Sequence, residues 1–536
     1  MSRAAKVGLG LDFGTESVRA VLVDLTGAER GGATAGYPHG QIIDHLPHCS
    51  EPLPADFALQ HPDDWLASAK KAVRKAMVQI NLDPRTIIGI GVDFTSCTVL
   101  PALADGTPLC RLPRFAREPH AWPKLWKHHG AKSQTDRMNI VARDRDESFL
   151  RRYGDIIGLE WFFPKILEVI EQAPSVAAAT EVWLEAGDWL VWQLVNGPAA
   201  ELPRSTCQAG YKGLWSEADG FPSSEYFAAV HPDLRTVLAK KLPGRFVAPG
   251  TAAGELCQMA AVSLGLVPGV PVSAAIIDAH AAVPGVGAAG TGTLVLVLGT
   301  SACHMLNAAE EKFVPGVAGV VKDGILPGLY GYETGQAAVG DAFDWLRRLA
   351  GHHGFDKLQS AAAAVAPGAD GVLCLDWFNG CRTPLMDGSL TATFTGLALK
   401  HGLGHLYRAL LEASACGLRW IVELLDDHNV KVKRLIATGG LAHQNPLFVQ
   451  VIADMLSQPV EIHGSKQGPA RGAAVLGVLA AGREVSGFPS VTAAVRTMGS
   501  PPGLKSKRVI PQRSSKNAYQ RLYSQYRRLA EQLKQS

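Results

Sequence analysis

Short apolar runs alternate along the chain with segments in which apolar residues recur at helical spacing. The clearest runs predict strands at 9–11, 18–23, 87–92, 294–298 and 434–438. Helices are predicted to open at His61 and near Asn445, each of which is followed by a proline that suits a first helical turn. Residues 517–535 show helical spacing with a basic opposite face and predict a docked surface helix. This alternation predicts an α/β architecture.

The first predicted strand ends at an acidic residue and runs into a tight turn through Gly14. The turn carries the polar side chains of Asp12, Thr15, Glu16 and Ser17. Backbone amides in a glycine turn form an anion-binding concavity, and a neighbouring carboxylate positions Mg²⁺. The turn therefore suits a metal-bound polyphosphate, and an ordinary β-hairpin turn is the alternative.

A similar strand and turn recur in the second half of the chain. The run at 294–298 leads into Gly299, Thr300 and Ser301, and the small, glycine-rich stretch 283–292 precedes it. We therefore predict two related domains, 1–288 and 289–536, each offering a phosphate loop to a shared cleft. A third turn, Gly439-Gly440, follows the run at 434–438 and suits close approach of the backbone to a nucleotide.

Length and composition restrict the class of protein. A chain of 536 residues is too long for one core, and 47% hydrophobic and 19% charged residues are typical of globular proteins. The net charge of +3 gives no reason to expect nucleic acid or an anionic membrane as a partner. We find neither a signal peptide nor an apolar run that could cross a bilayer. Nine scattered cysteines without a CxxC pair predict reduced thiols in a cytoplasm and no zinc site.

Two more acidic residues end apolar runs. Asp278 follows such a run just before the predicted domain junction, where its carboxylate would accept a proton from a substrate hydroxyl. A helix cap is the structural alternative for Asp278. Asp93 is followed by small hydroxyl residues and suits either a polyol or turn capping. Lys212 and Glu333 lie in apolar, glycine-rich surroundings, where they are either paired for function or exposed in loops.

Several segments resemble the FGGY carbohydrate kinases, and within that family the bacterial L-ribulokinases, over almost the whole chain. They are 11–20, 91–95, 125–129, 160–167 and 375–384, of which the last is the most specific to the subfamily. The resemblance implies an actin-like fold of two ribonuclease-H-like domains hinged about a deep cleft. It also implies transfer of the ATP γ-phosphoryl group, with Mg²⁺, to the 5-hydroxyl of L-ribulose, as in arabinose catabolism.

The resemblance further implies roles for individual residues. Asp278 matches the catalytic base, and Asp12 matches the acid that positions Mg²⁺. The positions that match nucleotide-binding ones are Gly14, Thr15, Glu16, Gly299, Thr300, Ser301, Gly340, Gly439, Gly440, Gln444 and Asn445. The positions that match sugar-binding ones are Asp93, Ser96, Lys212, Asp278 and Glu333. His128, on the sugar side, and Arg471, near the nucleotide pocket, depart from the family pattern.

Other functions remain open at this point. Kinases for D-ribulose, ribitol or xylulose are the nearest alternatives, because these sugars differ by hydroxyl orientations that a few side chains decide. A non-catalytic, actin-like sugar sensor is an alternative from another class. Asp12 and Asp278 together argue against a sensor, which has no need of a base. A small sugar is the expected partner, and a homodimer is expected only from the family.

Overall fold

The computed structural model describes residues 5–351 and 354–534, and the sequence predictions that involve residues 1–3 and 535 lie outside this part of the chain. Its strands, in chain order, are β1 (Val7–Phe13), β2 (Ser17–Asp24), β3 (Glu29–Gly36), β4 (Ile87–Phe94), β5 (Val99–Ala102), β6 (Val182–Glu185), β7 (Pro203–Ser205), β8 (Arg245–Val247), β9 (Ala252–Glu255), β10 (Pro271–Ser273), β11 (Ile276–Ile277), β12 (Thr293–Leu298), β13 (Ala302–Ala308), β14 (Gly319–Lys322), β15 (Tyr330–Gln336), β16 (Leu373–Leu375), β17 (Thr393–Thr395), β18 (Arg434–Thr438), β19 (Val460–Ile462) and β20 (Lys507–Val509).

The α-helices are α1 (Pro62–Gln79), α2 (Lys132–Asp144), α3 (Phe162–Gln172), α4 (Pro174–Ala179), α5 (Ala186–Val195), α6 (Thr206–Lys212), α7 (Ser224–Val230), α8 (Pro232–Lys240), α9 (Gln258–Leu264), α10 (Asp278–Gly285), α11 (Gly340–Leu349), α12 (Phe355–Ala363), α13 (Leu403–Asp427), α14 (Gly440–Gln444), α15 (Pro446–Leu456), α16 (Gly468–Ala480), α17 (Gly482–Ser486), α18 (Val491–Gly499) and α19 (Lys516–Lys534). Among these described helices, none combines the length and apolar character needed to span a membrane.

Two sheets, each of seven strands in the described residues, form the framework of the fold. The first has the order β3-β2-β1-β4-β10-β9, and β11 also pairs with β4. The second has the order β14-β15-β13-β12-β18-β19-β20. In both, a hairpin (β1–β2 or β12–β13) adjoins a parallel strand (β4 or β18). This repeated order confirms the α/β class and the two related halves.

Helices α10 and α16 connect the halves through glycine contacts. A Cβ at Gly91 of β4 would lie 1.7 Å from Ala473 O, and one at Gly472 would lie 1.7 Å from Ala281 O. Because only glycine allows such approach, α16 packs directly on the first sheet and on α10. One apolar core contains residues of both sheets and of these two helices. The division at 288 and 289 therefore stays a prediction, since α16 follows it in sequence but packs on the first sheet.

Several predicted boundaries agree with the structure. α1 begins at Pro62, and the His61 side chain caps it by accepting the N–H of Asp63. β18 has the predicted bounds. The C-terminal helix α19 is docked as predicted, with Tyr519 and Tyr526 buried in the core of the second half. Residues of the tryptophan-rich region 114–220 contribute to a separate apolar core that contains many aromatic side chains.

Candidate active site

Three predicted carboxylates come together where parallel strands end. Asp12 of β1 and Asp93 of β4 are direct partners across the sheet. Ile276 of β11 pairs with Asp93, and Asp278 follows β11 as the first residue of α10. Because the carboxyl ends of parallel strands share one edge of a sheet, Asp12, Asp93 and Asp278 form a single acidic site.

Burial and mutual repulsion shift the titration of this acidic site. Burial and the neighbouring charge of Asp12 raise the pKa of Asp278 to about 7. Burial, followed by Asp12 and Asp278, raises the pKa of Asp93 well above its usual range. Asp278 Oδ1 accepts the N–H of Ala279 at 2.7 Å, and Arg19 Nη1 lies 2.9 Å from Asp12 Oδ2. A carboxyl that titrates near neutral pH is suited to general-base work.

The acidic site fits a divalent cation. Both carboxylate oxygens of Asp93 are buried and lack a hydrogen-bond partner in the described part of the chain. Asp12 is bonded to a cationic side chain through only one oxygen. Mg²⁺ prefers oxygen ligands and is usually held by one or two carboxylates together with substrate phosphates. Its positive charge also favours the ionised state of neighbouring carboxyls.

A separate group of possible metal ligands lies at the start of α1. Donor atoms of His39, His61 and Asp64 lie within 4.8 Å of one another. Asp64 already accepts hydrogen bonds from the backbone N–H of His39 at 2.8 Å and faces its Nδ1 at 2.9 Å. Two imidazoles suit transition metals better than Mg²⁺. The oxygen-rich acidic site is therefore the better match to the predicted Mg²⁺.

The predicted first phosphate loop is the hairpin turn between β1 and β2. Gly14 and Thr15 are half-buried, and Glu16 is exposed. The Thr15 hydroxyl accepts a hydrogen bond from Trp126 Nε1 at 3.1 Å, and the Thr15 carbonyl accepts one from Gln60 Nε2 at 2.7 Å. The loop is thus accessible from one side and fixed from the other.

The predicted second phosphate loop is the equivalent turn between β12 and β13. Gly299 N–H donates to Ser301 O at 3.0 Å, as Gly14 N–H donates to Ser17 O in the first loop. Helix α11 begins beside this loop, and the N–H of Gly340 donates to Gly299 O at 3.1 Å. A Cβ at Gly340 would lie 2.6 Å from Gly299 O. Gly340 therefore allows the positive end of α11 to approach the loop.

The glycine turn at 439–440 adjoins the second loop. Gly439 has a φ of +93°, and a Cβ there would lie 2.5 Å from Leu298 O, one residue before Gly299. Both features require glycine. Gly440 begins the short helix α14, which the sequence did not predict. The turn and the second loop are therefore neighbours.

The next two predicted nucleotide residues also have roles within the fold. The Asn445 side chain caps α15 by accepting the N–H of Phe448 at 3.0 Å, and its amide donates to Tyr407 Oη at 3.0 Å. Gln444 ends α14 and accepts a hydrogen bond through its backbone carbonyl from Gln359 at 3.2 Å. Asn445 therefore joins the start of α15 to Tyr407 of α13.

Lys212 and Glu333 form a buried ion pair. They are therefore paired, and the alternative that they are exposed in loops is wrong. Lys212 Nζ lies 2.8 Å from Glu333 Oε1, and His280 Nε2 lies 3.3 Å from Oε2. Arg382 Nη2 donates a hydrogen bond to the same Oε1. Burial alone would raise the pKa of Glu333, but Lys212, Arg382 and His280 together hold it well below the usual range.

This ion pair adjoins the acidic site. His280 lies two residues after Asp278 on α10. The helix that ends at Lys212 is capped by Ser205, whose hydroxyl donates to Ala275 O. Ser96 lies in the turn after β4 and is half-buried. Within the described residues, no hydrogen bond or ion pair joins Ser96 to the Lys212–Glu333 pair. The structure thus brings Asp93, Asp278, Lys212 and Glu333 together, and the role of Ser96 stays a prediction.

Arg382 and Lys165 contribute to this region without having been predicted from the sequence. Lys165 Nζ is buried and donates to Cys97 O at 2.6 Å and to Leu125 O at 2.8 Å, which fixes the turn after β4. The available signal was indirect, because both residues lie in segments that carry the family resemblance, 375–384 and 160–167.

His128 and Arg471, the two departures from the family pattern, bond to carboxylates that are not predicted ligand contacts, His128 through a hydrogen bond and Arg471 through an ion pair. His128 Nε2 is 2.8 Å from Glu168 Oε2, and burial lowers the pKa of His128 to about 3. Arg471 donates to Glu29 Oε1 at 2.7 Å and to Met498 O at 2.9 Å. Arg471 therefore joins α16 to the β2–β3 turn and to α18.

Comparisons with known proteins agree with this geometry. Residues 294–481 match the FGGY family of carbohydrate kinases, C-terminal domain. Proteins named ribulokinase from Geobacillus thermodenitrificans and Anoxybacillus flavithermus are each 42% identical to the chain, covering 98% of it and 94% of the relative. A xylulose kinase from Rhodospirillum rubrum is similar in structure, with a TM-score of 0.79 and 25% identity over 98% of this chain and 99% of that one. A glycerol kinase from Plasmodium falciparum with ADP, at 17% identity and a TM-score of 0.76 over 99% and 98%, shares the fold.

Proposed function

This chain belongs to the FGGY family of carbohydrate kinases, and we propose that it transfers the γ-phosphoryl group of ATP to the 5-hydroxyl of L-ribulose. The enzyme is a sugar kinase with an actin-like, two-domain α/β fold. The choice of L-ribulose is supported by the full-length similarity to proteins named ribulokinase. The single observation that carries the chemistry is Asp278, a partly buried carboxyl with a pKa of about 7 beside two further carboxylates.

Asp278 acts as the general base. It orients the 5-hydroxyl and accepts its proton while the hydroxyl oxygen attacks the γ-phosphorus and ADP leaves. The turns at 14–16 and 299–301 hold the phosphates through backbone N–H groups, and Asp12 holds Mg²⁺. The metal, when bound, neutralises phosphate charge. Positioning and charge neutralisation supply most of the rate in phosphoryl transfer, which matches what this site offers.

The remaining predicted residues bind the two substrates. Glu333 Oε2, Lys212, Asp93 and Ser96 contact the sugar hydroxyls, and Asp278 contacts the one that reacts. The nucleotide lies against Gly340 and the turn at 439–440, which Gln444 and Asn445 support. The domains 1–288 and 289–536 close on the cleft between them and exclude water from the reaction.

A panel of sugars tests the proposal. The purified protein is mixed with ATP, Mg²⁺ and L-ribulose, D-ribulose, ribitol or D-xylulose, and ADP release gives kcat/KM for each. We expect the largest value with L-ribulose. If kcat/KM is larger with another sugar, that sugar replaces L-ribulose as the proposed substrate. D-xylulose is included because the fold is similar to that of a xylulose kinase. If no sugar in the panel causes ADP release, the result would favour a sugar sensor and contradict the proposed kinase activity.

The cellular setting is also a proposal. The nine cysteines are all unpaired, and six are buried, as expected for an enzyme that works with ATP in the reducing cytoplasm. A homodimer, expected from the family, is tested by the molar mass in light scattering. A monomer mass across the assay concentrations would contradict it.

A further inference from the structure

Arg382 reaches the buried carboxylate that we assign to the sugar. Its Nη2 donates to Glu333 Oε1, the oxygen that also lies 2.8 Å from Lys212 Nζ. Glu333 Oε2 is buried and has no hydrogen-bond partner in the described residues, although His280 Nε2 lies 3.3 Å away. Lys212 and Arg382 therefore share one oxygen, and the other oxygen is bonded by neither of these cations and faces only His280.

The loop that carries Arg382 is anchored on the strand that carries Glu333. The N–H of Thr383 donates to Gly335 O at 3.2 Å, and the N–H of Gly335 donates to Thr383 Oγ1 at 3.3 Å. Gly335 lies two residues after Glu333 on β15. These two hydrogen bonds between Thr383 and Gly335 hold the Arg382 guanidinium close to the Glu333 carboxylate.

The other end of this loop is held by the C-terminal helix. Asp376 accepts hydrogen bonds from Gln336 Nε2 at 2.9 Å and from Tyr526 Oη of α19 at 3.1 Å. Gln336 is the last residue of β15. The segment most specific to the subfamily therefore forms a bridge from α19 to β15, and Arg382 is its side chain at the site.

We propose that Arg382 is a positioning residue of the sugar site, which holds Glu333 so that Oε2 accepts a hydrogen bond from a ketopentose hydroxyl. The inference rests on the proposed function, because it needs a sugar at Glu333. A charged acceptor that neither Lys212 nor Arg382 occupies binds a hydroxyl strongly and discriminates against sugars that lack it at that position. Lysine is a poor substitute, because the planar guanidinium also contacts Cys303 Sγ at 3.9 Å.

Steady-state kinetics of Arg382→Met and Arg382→Lys test the assignment. For Arg382→Met we expect the KM for L-ribulose to rise about tenfold or more, while kcat and the KM for ATP stay within about twofold. Arg382→Lys should lie between wild type and Arg382→Met. Arg419→Met is the matched control, because Arg419 is similarly exposed (18% against 24%) and pairs with Glu423 on its own helix. It should keep wild-type kinetics.

A pH series separates positioning from structural damage. Without Arg382 the ionised form of Glu333 loses one of its cations, so its pKa rises. The ratio of the sugar KM of Arg382→Met to that of wild type should therefore increase as the pH falls from about 8 to about 5.5. A constant ratio, or a wild-type sugar KM in Arg382→Met, overturns the inference. A wild type that phosphorylates no pentulose overturns the proposed function instead.

Discussion

Lys212 Nζ lies 2.8 Å from Glu333 Oε1, and the side chains are only 4% and 3% exposed. Lys212 ends α6, which contacts β11 of the first sheet and β14 of the second, whereas Glu333 lies on β15 of the second sheet. The pair therefore joins the two halves of the molecule through buried charge. An ion pair in this position costs desolvation, and its value depends on both partners being present.

A double-mutant cycle measures this dependence. Lys212→Met leaves the buried Glu333 with one cation fewer, and Glu333→Gln leaves two cations without a carboxylate. We expect each single variant to lose about 2–4 kcal/mol of unfolding free energy. The double variant should lose less than the sum, with a coupling of about 1–3 kcal/mol in urea unfolding. Additive losses would show that the pair contributes no interaction energy.

Asp278→Asn removes the proposed base while keeping the shape of the side chain. We expect kcat to fall at least about 10²–10⁴-fold, the range that general-base catalysis supplies. Sugar binding, followed by calorimetry with L-ribulose alone, should remain within about tenfold, because the asparagine still offers a hydrogen-bond acceptor. Turnover near that of wild type would contradict the assignment of Asp278.

The pH dependence of the wild-type enzyme follows from the same carboxyl. Asp278 must be ionised to accept a proton, and its pKa is raised to about 7. We therefore expect kcat/KM for the sugar to fall about tenfold for each pH unit below a midpoint and to level off above it; the midpoint lies at or below 7, because bound Mg²⁺ favours the ionised carboxyl. The observed midpoint belongs to the coupled acidic site rather than to one residue. A flat kcat/KM profile between about pH 5.5 and 8.5 would contradict the assignment of Asp278 as the general base.

The raised pKa also predicts a stability effect with a definite sign. A folded pKa above the ordinary value of 3.8 stabilises the fold at low pH, and this contribution is lost as the pH rises through 7. At about pH 8, Asp278→Asn should therefore unfold at a higher temperature than wild type. The gain is at most about 4 kcal/mol and should shrink towards pH 5. An equal or lower Tm for the variant at pH 8 would contradict the raised pKa of Asp278 in the folded protein.

Much of this site could be predicted because it lies at the ends of strands. Asp12, Asp93 and Asp278 each end an apolar run, and parallel strands bring such ends to one edge. The glycine turns at Gly14 and Gly299 could be predicted for a related reason, because each directly follows a strand. Local sequence therefore fixes the positions that lie on the chain's regular elements.

Contacts between distant segments could not be predicted in this way. Arg382 and Glu333 are separated by 49 positions, and no periodicity connects a loop residue to a strand residue at that distance. Arg471 is a similar case, because its partner Glu29 is 442 positions away. The comparison with the family pattern singled out the segments that contain Arg382 and Arg471. Only the fold shows which residues these two side chains contact.

Gly340→Ala tests the contact between α11 and the second loop. The added Cβ would lie 2.6 Å from Gly299 O, so the backbone must move. We expect the KM for ATP to rise about tenfold or more, with a smaller change in the KM for the sugar. Gly503→Ala is the control, because a Cβ there meets nothing within 4 Å. Equal effects on both KM values would indicate general distortion rather than a nucleotide contact.

Arg471→Met tests whether this departure from the family pattern is structural. The guanidinium is 2% exposed and bonds to Glu29 and Met498, none of which we assign to a ligand. Because Glu29 is partly exposed (34%), the loss of unfolding free energy should be about 1–3 kcal/mol, less than for a fully buried pair. The KM values for ATP and sugar should stay within about twofold at a temperature where the variant is folded. A selective rise in the KM for ATP would instead place Arg471 in the nucleotide site.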